Sequence, residues 1–479
     1  MVSKLNVGLC ACVQTSFWGS SCELFKNKYL PEMEKLSVEW GFLLTVWREN
    51  LVTLDDAKAA AAFFVAEQVD FILLQSTTFP GGEVMLPFGD LDIRIGLWAI
   101  PECTESGAIP QNSLCGINML GSIMGQYIGA SKPVKWFFGD TNSSLFRERL
   151  KTTIGALRGI KRLYGANVAL VGGIAPYFLD LAFDERKAKA KLGVNINRLV
   201  EYGDMKERAL AYTESEITPV IEAFLSEARS VTQSVMDTIN ITSRFYKAFE
   251  DLFVKDGFDA ITIGCWPKYR RDFGIVICGI IGRLLENGYL AACEGDIDSA
   301  LGFLLLNGVS DDMPMVMDIS KVDFERDRVL FWHCGSAPGR FAGKDGVHLK
   351  NHYKPGRHVS GADEIGIGIV NDMVYSKSPI SVARFTWEYE KMLVFGGHLV
   401  DEGDPSFDGS RGWAGDLTLA GESINALDLV NSLLVSRFQH HYPVVRGNWT
   451  DEVMEACAWL GISPILKIGY KNYLQNFGY

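Results

Sequence analysis

Short apolar runs alternate with longer segments of helical period through the first two thirds of this chain. The alanine-rich segment 54–67 has the period of a helix and leads into the apolar run 70–75, which predicts a strand. The run 167–173, Asn-Val-Ala-Leu-Val-Gly-Gly, predicts the first strand of a second such series. Repeated strand–helix–strand units predict parallel sheets that are covered by helices on both faces.

The later parts of the chain continue this pattern and then depart from it. Helices are predicted at 214–228 and 244–255, and a strand is predicted at 260–264. From about residue 320 glycine and turn residues become frequent, and the segments 380–386 and 392–395 predict short strands. A final helix is predicted at 451–460.

These patterns predict an α/β protein with two doubly wound parallel-sheet domains, followed by a mostly antiparallel, β-barrel-like C-terminal domain. The predicted boundaries are 1–163 for the N-terminal α/β domain, 164–319 for the central α/β domain and 320–479 for the β-rich domain. A chain of 479 residues is long enough for two or three such domains.

Composition narrows the class of partner. A formal net charge of -12 argues against nonspecific nucleic-acid binding, which needs a cationic face, and favours a small-molecule substrate. The ten cysteines lack paired metal-ligand spacing and are predicted to be buried reduced thiols. No apolar run approaches the ~18 residues that span a bilayer, and residues 1–13 predict a buried strand rather than a signal sequence. We therefore expect a cytoplasmic protein without a membrane partner.

Two carboxylates stand where predicted buried strands end. Glu294 follows the apolar run 289–293 and precedes a helical segment, and Asp318 follows Met-Pro-Met-Val-Met. Ligands of open α/β sheets bind at the carboxyl ends of strands, so both residues are candidates for metal binding and proton transfer. The alternative for each residue is a helix N-cap or a turn acid.

All seven histidines lie after residue 332. His333 ends the apolar run Val-Leu-Phe-Trp-His, and His440 and His441 precede the β-like run Tyr-Pro-Val-Val. Adjacent strand residues point to opposite faces, so at most one of the pair is expected to face a given site. The alternative for a single histidine on an apolar strand is a hydrogen-bonded core residue.

The remaining chemistry lies in a basic stretch and in aromatic side chains. Residues 340–357 contain two arginine or lysine side chains before His348 and three after it, and this stretch is either a solvated loop or a site for an anionic substrate group such as a sulfonate or phosphate. The other histidines are His352 and His358, within or next to this stretch, and His398. Trp266 and Trp413 are candidates to stack on the apolar face of a sugar, with ordinary packing as the alternative.

Several of these segments together resemble the L-fucose and L-arabinose isomerase family, and in particular its shorter fucose-isomerase-like members. The resemblance spans nearly the whole chain. Its motifs are Pro80-Gly81-Gly82-Glu83, Asn112 to Asn118, Cys265-Trp266-Pro267, Ala292-Cys293-Glu294-Gly295-Asp296, Asp318, His333-Cys334-Gly335, and His440-His441 followed by Gly447.

The resemblance implies a metal-dependent aldose–ketose isomerase that uses Mn²⁺ or another divalent cation and assembles as a homotrimer or homohexamer. It implies that Glu294 and Asp318 bind the metal and carry a proton between C1 and C2 of an open-chain sugar through an enediol. It further implies that His441 and His333 are metal ligands. Trp266, His440, Trp413 and Asn118 are the corresponding candidates for substrate binding.

The sequence leaves the substrate and part of the function open. The aldose is either a neutral sugar or an anionic, sulfonated or phosphorylated hexose. A noncatalytic sugar-binding protein on the same fold is an alternative, as is a hydrolase or aldolase that uses the same metal site.

Overall fold

The computed structural model describes residues 4–17, 19–129, 132–352, 367–400, 403–404 and 406–472. The chain divides into two compact units, Met1–Arg158 and Gly159–Tyr479. The second unit contains both a parallel sheet and a barrel, and the division into three domains at 163/164 and 319/320 stays a prediction. In the described part of the chain, no helix combines the length and apolar character needed to cross a membrane.

The first unit is built on a five-stranded parallel sheet. Its strands are β1 (Asn6–Cys12), β2 (Leu43–Leu51), β3 (Phe71–Ser76), β4 (Arg94–Ala99) and β5 (Val134–Phe138). Its helices are α1 (Gly19–Cys22), α2 (Leu30–Trp40), α3 (Leu54–Ala66), α4 (Leu86–Gly89), α5 (Ser113–Ile123) and α6 (Ser144–Leu163), the last of which continues past the unit boundary. Short π or 3₁₀ turns cover Phe25–Tyr29, Gly82–Met85 and Met124–Gly129.

The strand order of this sheet is β2-β1-β3-β4-β5, the doubly wound order. Every residue of β3 is buried, as a central strand covered on both faces requires. Thr53 caps α3 by accepting a hydrogen bond from the Asp56 backbone N–H, while the Asp56 side chain returns to the Thr53 backbone. The strand predicted at 70–75 and the helix predicted at 54–67 are thus confirmed within one residue at each end.

The second unit has fifteen strands within its described residues. They are β6 (Asn167–Val171), β7 (Asn195–Asn197), β8 (Ala228–Val231), β9 (Ala260–Ile263), β10 (Leu290–Cys293), β11 (Met315–Asp323), β12 (Arg328–His333), β13 (Val347–Lys350), β14 (Val370–Val374), β15 (Ser378–Phe385), β16 (Lys391–Val400), β17 (Ser410–Leu419), β18 (Glu422–Ser423), β19 (Tyr442–Arg446) and β20 (Ser463–Pro464).

Helices of this unit pack on the parallel sheet and on the barrel. They are α7 (Glu185–Leu192), α8 (Tyr202–Ala211), α9 (Glu214–Glu227), α10 (Gln233–Met236), α11 (Ile239–Val254), α12 (Lys268–Phe273), α13 (Cys278–Glu286), α14 (Ile297–Ser310), α15 (Ala426–Val435) and α16 (Thr450–Leu460). Short 3₁₀ turns cover Leu179–Leu181, Gly339–Phe341 and Tyr470–Asn472.

Two sheets form the framework of this unit. The parallel sheet has the order β10-β9-β6-β7. The barrel runs β16-β15-β19-β11-β12-β17 with antiparallel neighbours throughout, and pairing of β16 with β17 closes it. The fold class predicted from sequence, two parallel-sheet α/β parts followed by a mostly antiparallel barrel, is confirmed.

Helix α14 joins the parallel sheet to the barrel. Most of its residues are buried, and Gly302 lies so close to the barrel that an added Cβ would be 2.8 Å from both the Ala383 carbonyl oxygen and the Pro443 ring. Only glycine permits this close approach. The parallel sheet and the barrel strands β15 and β19 are therefore joined by a nearly solvent-free helix.

Candidate active site

Glu294 lies in a strained turn directly after β10. Its φ is +62° and that of Gly295 is +77°, so two successive residues occupy the left-handed region. An added Cβ at Gly295 would lie 2.5 Å from the Ile174 Cα, and the Glu294 carbonyl accepts a hydrogen bond of 2.9 Å from the Ala175 N–H. The surrounding backbone thus holds Glu294 in a conformation that costs free energy, which is typical of functional positions.

The barrel contributes the other members of the site. Met317 of β11 pairs with Tyr442 of β19, so Asp318 and His441 lie side by side at the next position along this ladder. His333 is the last residue of β12, and its ring centroid lies 5.5 Å from that of His441. Glu294, Asp318, His441 and His333, which the sequence predicted as one group, are therefore brought together.

The ligand-type atoms of these residues form two groups that share His441, one with Glu294 and His333 and the other with Asp318 and His440. Nε2 of His441 lies 3.2 Å from Oε2 of Glu294 and 4.0 Å from Oδ1 of Asp318. His333 Nε2 lies 3.5 Å from Sγ of Cys293, and one ligand atom each of Cys293, Glu294, His333 and His441 fall within 4.8 Å of one another. Atoms that share one ion at about 2 Å lie roughly 3 to 4 Å apart, so these distances suit a common cation.

Two of these oxygens are buried and make no hydrogen bond. They are Oε2 of Glu294 and Oδ1 of Asp318. A buried carboxylate oxygen without a donor is costly, and a bound cation removes that cost. Because the donor set is two carboxylates and an imidazole, the residues present fit a hard or borderline divalent cation such as Mn²⁺.

Two buried charged residues support His441 from behind, and the sequence reasoning missed both roles. Asp296 caps α14 by accepting from the Ser299 N–H at 3.0 Å, and its Oδ2 lies 2.9 Å from Nδ1 of His441. Arg384 holds the same carboxylate with two contacts of 2.8 and 3.1 Å. A single arginine in the apolar run Ser-Pro-Ile-Ser-Val-Ala-Arg-Phe was the available sequence signal for a buried ion pair.

His440 also lies at this site, with its ring centroid 4.2 Å from that of His441. Its Nδ1 lies 2.7 Å from Oδ2 of Asp180, and its Nε2 lies 3.7 Å from Oε2 of Glu294. Phe178 stacks on the imidazole ring at 5.6 Å between centroids. The expectation that only one of the two histidines faces the site is wrong, because both residues precede β19 and do not share the alternation of a regular strand.

The electrostatics of the group follow from these contacts. Burial alone would raise the pKa of Glu294, but the imidazoles of His440 and His441 outweigh burial and hold that pKa well below its usual range. Burial lowers the pKa of His441, yet the carboxylates of Asp296 and Glu294 raise it to about 10. Burial raises the pKa of the Cys293 thiol well above its usual value, so this thiol stays protonated. The carboxylates thus carry the negative charge that a cation needs.

The remaining predicted site residues lie in different surroundings. Trp266 is 39 % exposed next to Cys265, and its ring lies 5.3 Å beneath the guanidinium of Arg270. Trp413 is buried on β17 and packs 4.4 Å from the guanidinium of Arg328, at the opposite end of β12 from His333. Asn118 is exposed on α5 of the first unit. For Trp413, the ordinary packing alternative describes the contacts that the structure shows.

The basic stretch is only partly described. Arg340 pairs with Glu286, and Lys350 lies 2.6 Å from Asp372. His348 Nδ1 contacts the Ser230 hydroxyl at 2.7 Å. These cations are therefore engaged with acidic side chains. His358, Lys354 and Arg357 lie outside the described residues, and the exposed His398 lies 4.0 Å from Asp416 on the barrel.

The chain is similar in sequence to known isomerases over most of its length. No family model matches the chain. A sulfoquinovose isomerase of Priestia megaterium is 25 % identical over 436 residues, covering 88 % of this chain and 91 % of the relative. One from Alkalicoccus urumqiensis is 25 % identical over 411 residues, covering 85 % and 88 %, and one from Clostridium sp. is 22 % identical over 361 residues, covering 75 % and 77 %.

Solved structures are more distant. A solute-binding protein of an Agrobacterium vitis ABC transporter, bound with alpha-D-tagatopyranose, is 12 % identical, covers 63 % of this chain and 89 % of its own, and has a TM-score of 0.18. The isomerases, by contrast, match over most of their length, and they confirm the prediction that this chain is an enzyme, an isomerase.

Proposed function

We propose that this protein is a metal-dependent aldose–ketose isomerase whose substrate is a sulfonated aldose. The observation that carries the proposal is the convergence of Glu294 Oε2, Asp318 Oδ1 and His441 Nε2, with both oxygens buried and without hydrogen-bond donors. The relatives named sulfoquinovose isomerase support both the reaction class and the anionic substrate.

Isomerisation between C1 and C2 requires a proton to leave one carbon and return to the other. A divalent cation held by Glu294, Asp318 and His441 would stabilise the negative charge that develops on the sugar oxygen. Oε2 of Glu294 and Oδ1 of Asp318 lie 3.2 and 4.0 Å from Nε2 of His441, which supports a role for one carboxylate as base and the other as acid at the same pair of carbons. We assign the proton transfer to these two residues.

The other members of the site hold this arrangement in place. His441 is fixed by Asp296 at Nδ1, which leaves Nε2 as the ligand atom. His440, held by Asp180, is assigned to contact substrate oxygens, and Trp266 is assigned to the apolar face of the sugar. His333 is assigned as a further ligand because its Nε2 faces the same group.

The proposed substrate carries a sulfonate, and the cations of the basic stretch are the obvious residues to consider for binding it. Arg340 and Lys350 are already paired with acidic side chains, which makes them poor candidates for binding a sulfonate. We further propose Mn²⁺ as the cation, a homotrimer or homohexamer as the assembly and the cytoplasm as the compartment.

A substrate panel tests the proposal. The full-length protein is assayed for ketose formation with Mn²⁺ on sulfoquinovose, a hexose 6-phosphate, L-fucose and L-arabinose, with and without a chelator. We expect the sulfonated sugar to give the highest kcat/KM and the chelator to abolish turnover. Equal turnover of the neutral sugars would contradict the anionic substrate, and undiminished activity after chelation would contradict the metal.

Two variants test the assigned proton carriers. Glu294→Gln and Asp318→Asn are expected to lose turnover while they keep the melting temperature near that of the parent protein. Asp416→Asn, at an exposed carboxylate on β17, is the matched control and is expected to keep full activity. Full activity in either site variant would contradict the proton-transfer role.

A further inference from the structure

A second group of metal-ligand side chains lies beside the candidate active site. Cys278, the first residue of α13, and Cys334, in the turn after β12, have their sulfur atoms 3.1 Å apart. A ring nitrogen of His352 and both sulfurs lie within 4.8 Å of one another. The three residues come from separate elements, so the fold, and not a local sequence motif, brings them together.

We propose that Cys278, Cys334 and His352 form a second cation site that takes a soft, thiolate-seeking divalent ion such as Zn²⁺ or Cd²⁺. Two sulfurs and one imidazole are the donor set that such ions prefer, and three protein ligands leave a fourth position open in a tetrahedral site. A sulfur separation of 3.1 Å is well beyond the ~2.05 Å of a disulfide and needs an outward movement of less than about 1 Å to suit two thiolates on one ion.

The chemistry of this group differs from that of the candidate active site. Glu294, Asp318 and His441 offer oxygen and nitrogen, which suits Mn²⁺, whereas Cys278 and Cys334 offer sulfur. The two groups share no ligand in this assignment, so each can select its own cation. The second site therefore shares no ligand with the proposed active site, and its test does not use activity.

His333 is the side chain that lies between the two groups. Its Nδ1 lies 3.3 Å from Sγ of Cys334 and 3.0 Å from the Ser336 hydroxyl, while its Nε2 faces Cys293 at 3.5 Å. A soft ion on Cys334 would turn that sulfur from a thiol into a thiolate that can only accept a hydrogen bond. An ion bound to Cys334 would thus change the hydrogen bond between Cys334 and His333, which we assign as a ligand in the candidate active site.

Cadmium titration followed by ultraviolet absorption tests the proposal. The reduced, full-length protein is first saturated with Mn²⁺ and then titrated with Cd²⁺, whose bonds to thiolates absorb in the ultraviolet whereas bonds to oxygen and nitrogen do not. We expect an absorption that saturates at one Cd²⁺ per chain. In Cys278→Ser or Cys334→Ser, with one thiolate left, we expect about half that absorption at saturation and much weaker binding.

Further variants make the result specific. His352→Gln keeps both sulfurs, so we expect the full absorption with weaker binding. Cys115→Ser, at an exposed cysteine of the first unit, is the matched control and is expected to match the parent protein. Circular dichroism of each variant reports whether it folds. The proposal is overturned by an absent thiolate absorption in the parent protein, or by an unchanged titration in folded Cys278→Ser and Cys334→Ser.

Discussion

Asp296 and Arg384 form an ion pair in which neither side chain has any solvent exposure. The pair joins the first turn of α14 to strand β15 of the barrel, and the same Asp296 oxygen that accepts from Arg384 lies 2.9 Å from Nδ1 of His441. Arg384 thus fixes the carboxylate, and the carboxylate fixes the imidazole. The position of His441, a candidate metal ligand, therefore depends on the buried ion pair between Asp296 and Arg384.

Arg384→Ala is expected to lower the free energy of unfolding by about 3–5 kcal/mol, because it leaves the buried Asp296 charge without its partner. Urea denaturation at pH 7 measures the loss. Arg271→Ala removes an exposed arginine from its pair with Asp272 and is the matched control, with an expected loss much smaller than that of Arg384→Ala. Equal losses in the two variants would contradict a structural role for the buried pair.

Asp296→Asn is expected to weaken Mn²⁺ binding about 10- to 100-fold, because the amide no longer holds His441 as strongly in the orientation that presents Nε2. The affinity is measured by calorimetric titration at a temperature well below the melting temperature of the variant. Asp311→Asn, at the C-terminal end of the same helix, is the comparison variant and is expected to keep the parent affinity. An unchanged affinity in Asp296→Asn would show that His441 needs no support from this carboxylate.

Asp298 is expected to make stability depend on pH. Burial and the nearby Asp296 raise its pKa to about 7 against the attraction of Arg384, and its oxygen atoms contact Tyr389 and Gln439. Since the unfolded chain has the ordinary value of 3.8, the folded state binds more protons between pH 4 and pH 7. This contribution to stability is complete below pH 4 and is lost as the pH rises through 7.

Asp298→Asn removes that titration. We expect its free energy of unfolding to fall less steeply between pH 4 and pH 7 than that of the parent protein, with a difference in slope of up to about 1.4 kcal/mol per pH unit. Denaturation curves at several pH values measure the slope. Parallel slopes in the two proteins would place the Asp298 pKa near its ordinary value.

Gly295→Ala is expected to destabilise the protein and to displace Glu294, because its φ is +77° and the new Cβ would meet the Ile174 Cα at 2.5 Å. Gly288→Ala is the matched control: its φ is +87°, but nothing lies within 4 Å of the added Cβ. Both variants bear the cost of the left-handed conformation, about 1 kcal/mol, and only Gly295→Ala bears the clash. The difference between their melting temperatures therefore measures the effect of the close packing beside Glu294. Equal melting temperatures would show that this packing does not restrict residue 295.

Sequence reasoning found the residues whose signal is local. Glu294 ends an apolar run at the carboxyl end of β10, where an α/β fold presents its ligands, so it could be named before the structure was known. Asp318 also ends an apolar run, but the strand end predicted there is wrong, because β11 continues to Asp323 as an antiparallel strand of the barrel. Arg384 and Asp296 could not be paired in this way, because 88 positions separate them and only the packing of α14 on the barrel brings them together.

Other sequence predictions depended on details that periodicity does not carry. Trp413 was a candidate for sugar stacking, yet it packs on Arg328, because the sequence does not tell which end of the barrel a tryptophan on β17 reaches. The strands at 380–386 and 392–395 are confirmed as β15 and β16, although β16 extends from 391 to 400. The glycine pair at 396–397 and the histidine at 398 interrupt the apolar pattern there, which explains the short prediction.

The central claim is that Glu294, Asp318 and His441 hold one divalent cation. Anomalous diffraction from crystals soaked in Mn²⁺ tests this claim most directly, because the anomalous signal locates manganese without reference to activity. The account predicts a single strong peak about 2.0–2.3 Å from Oε2 of Glu294, Oδ1 of Asp318 and Nε2 of His441. A fully soaked crystal without a peak between these three atoms, or with manganese bound only elsewhere, would contradict it.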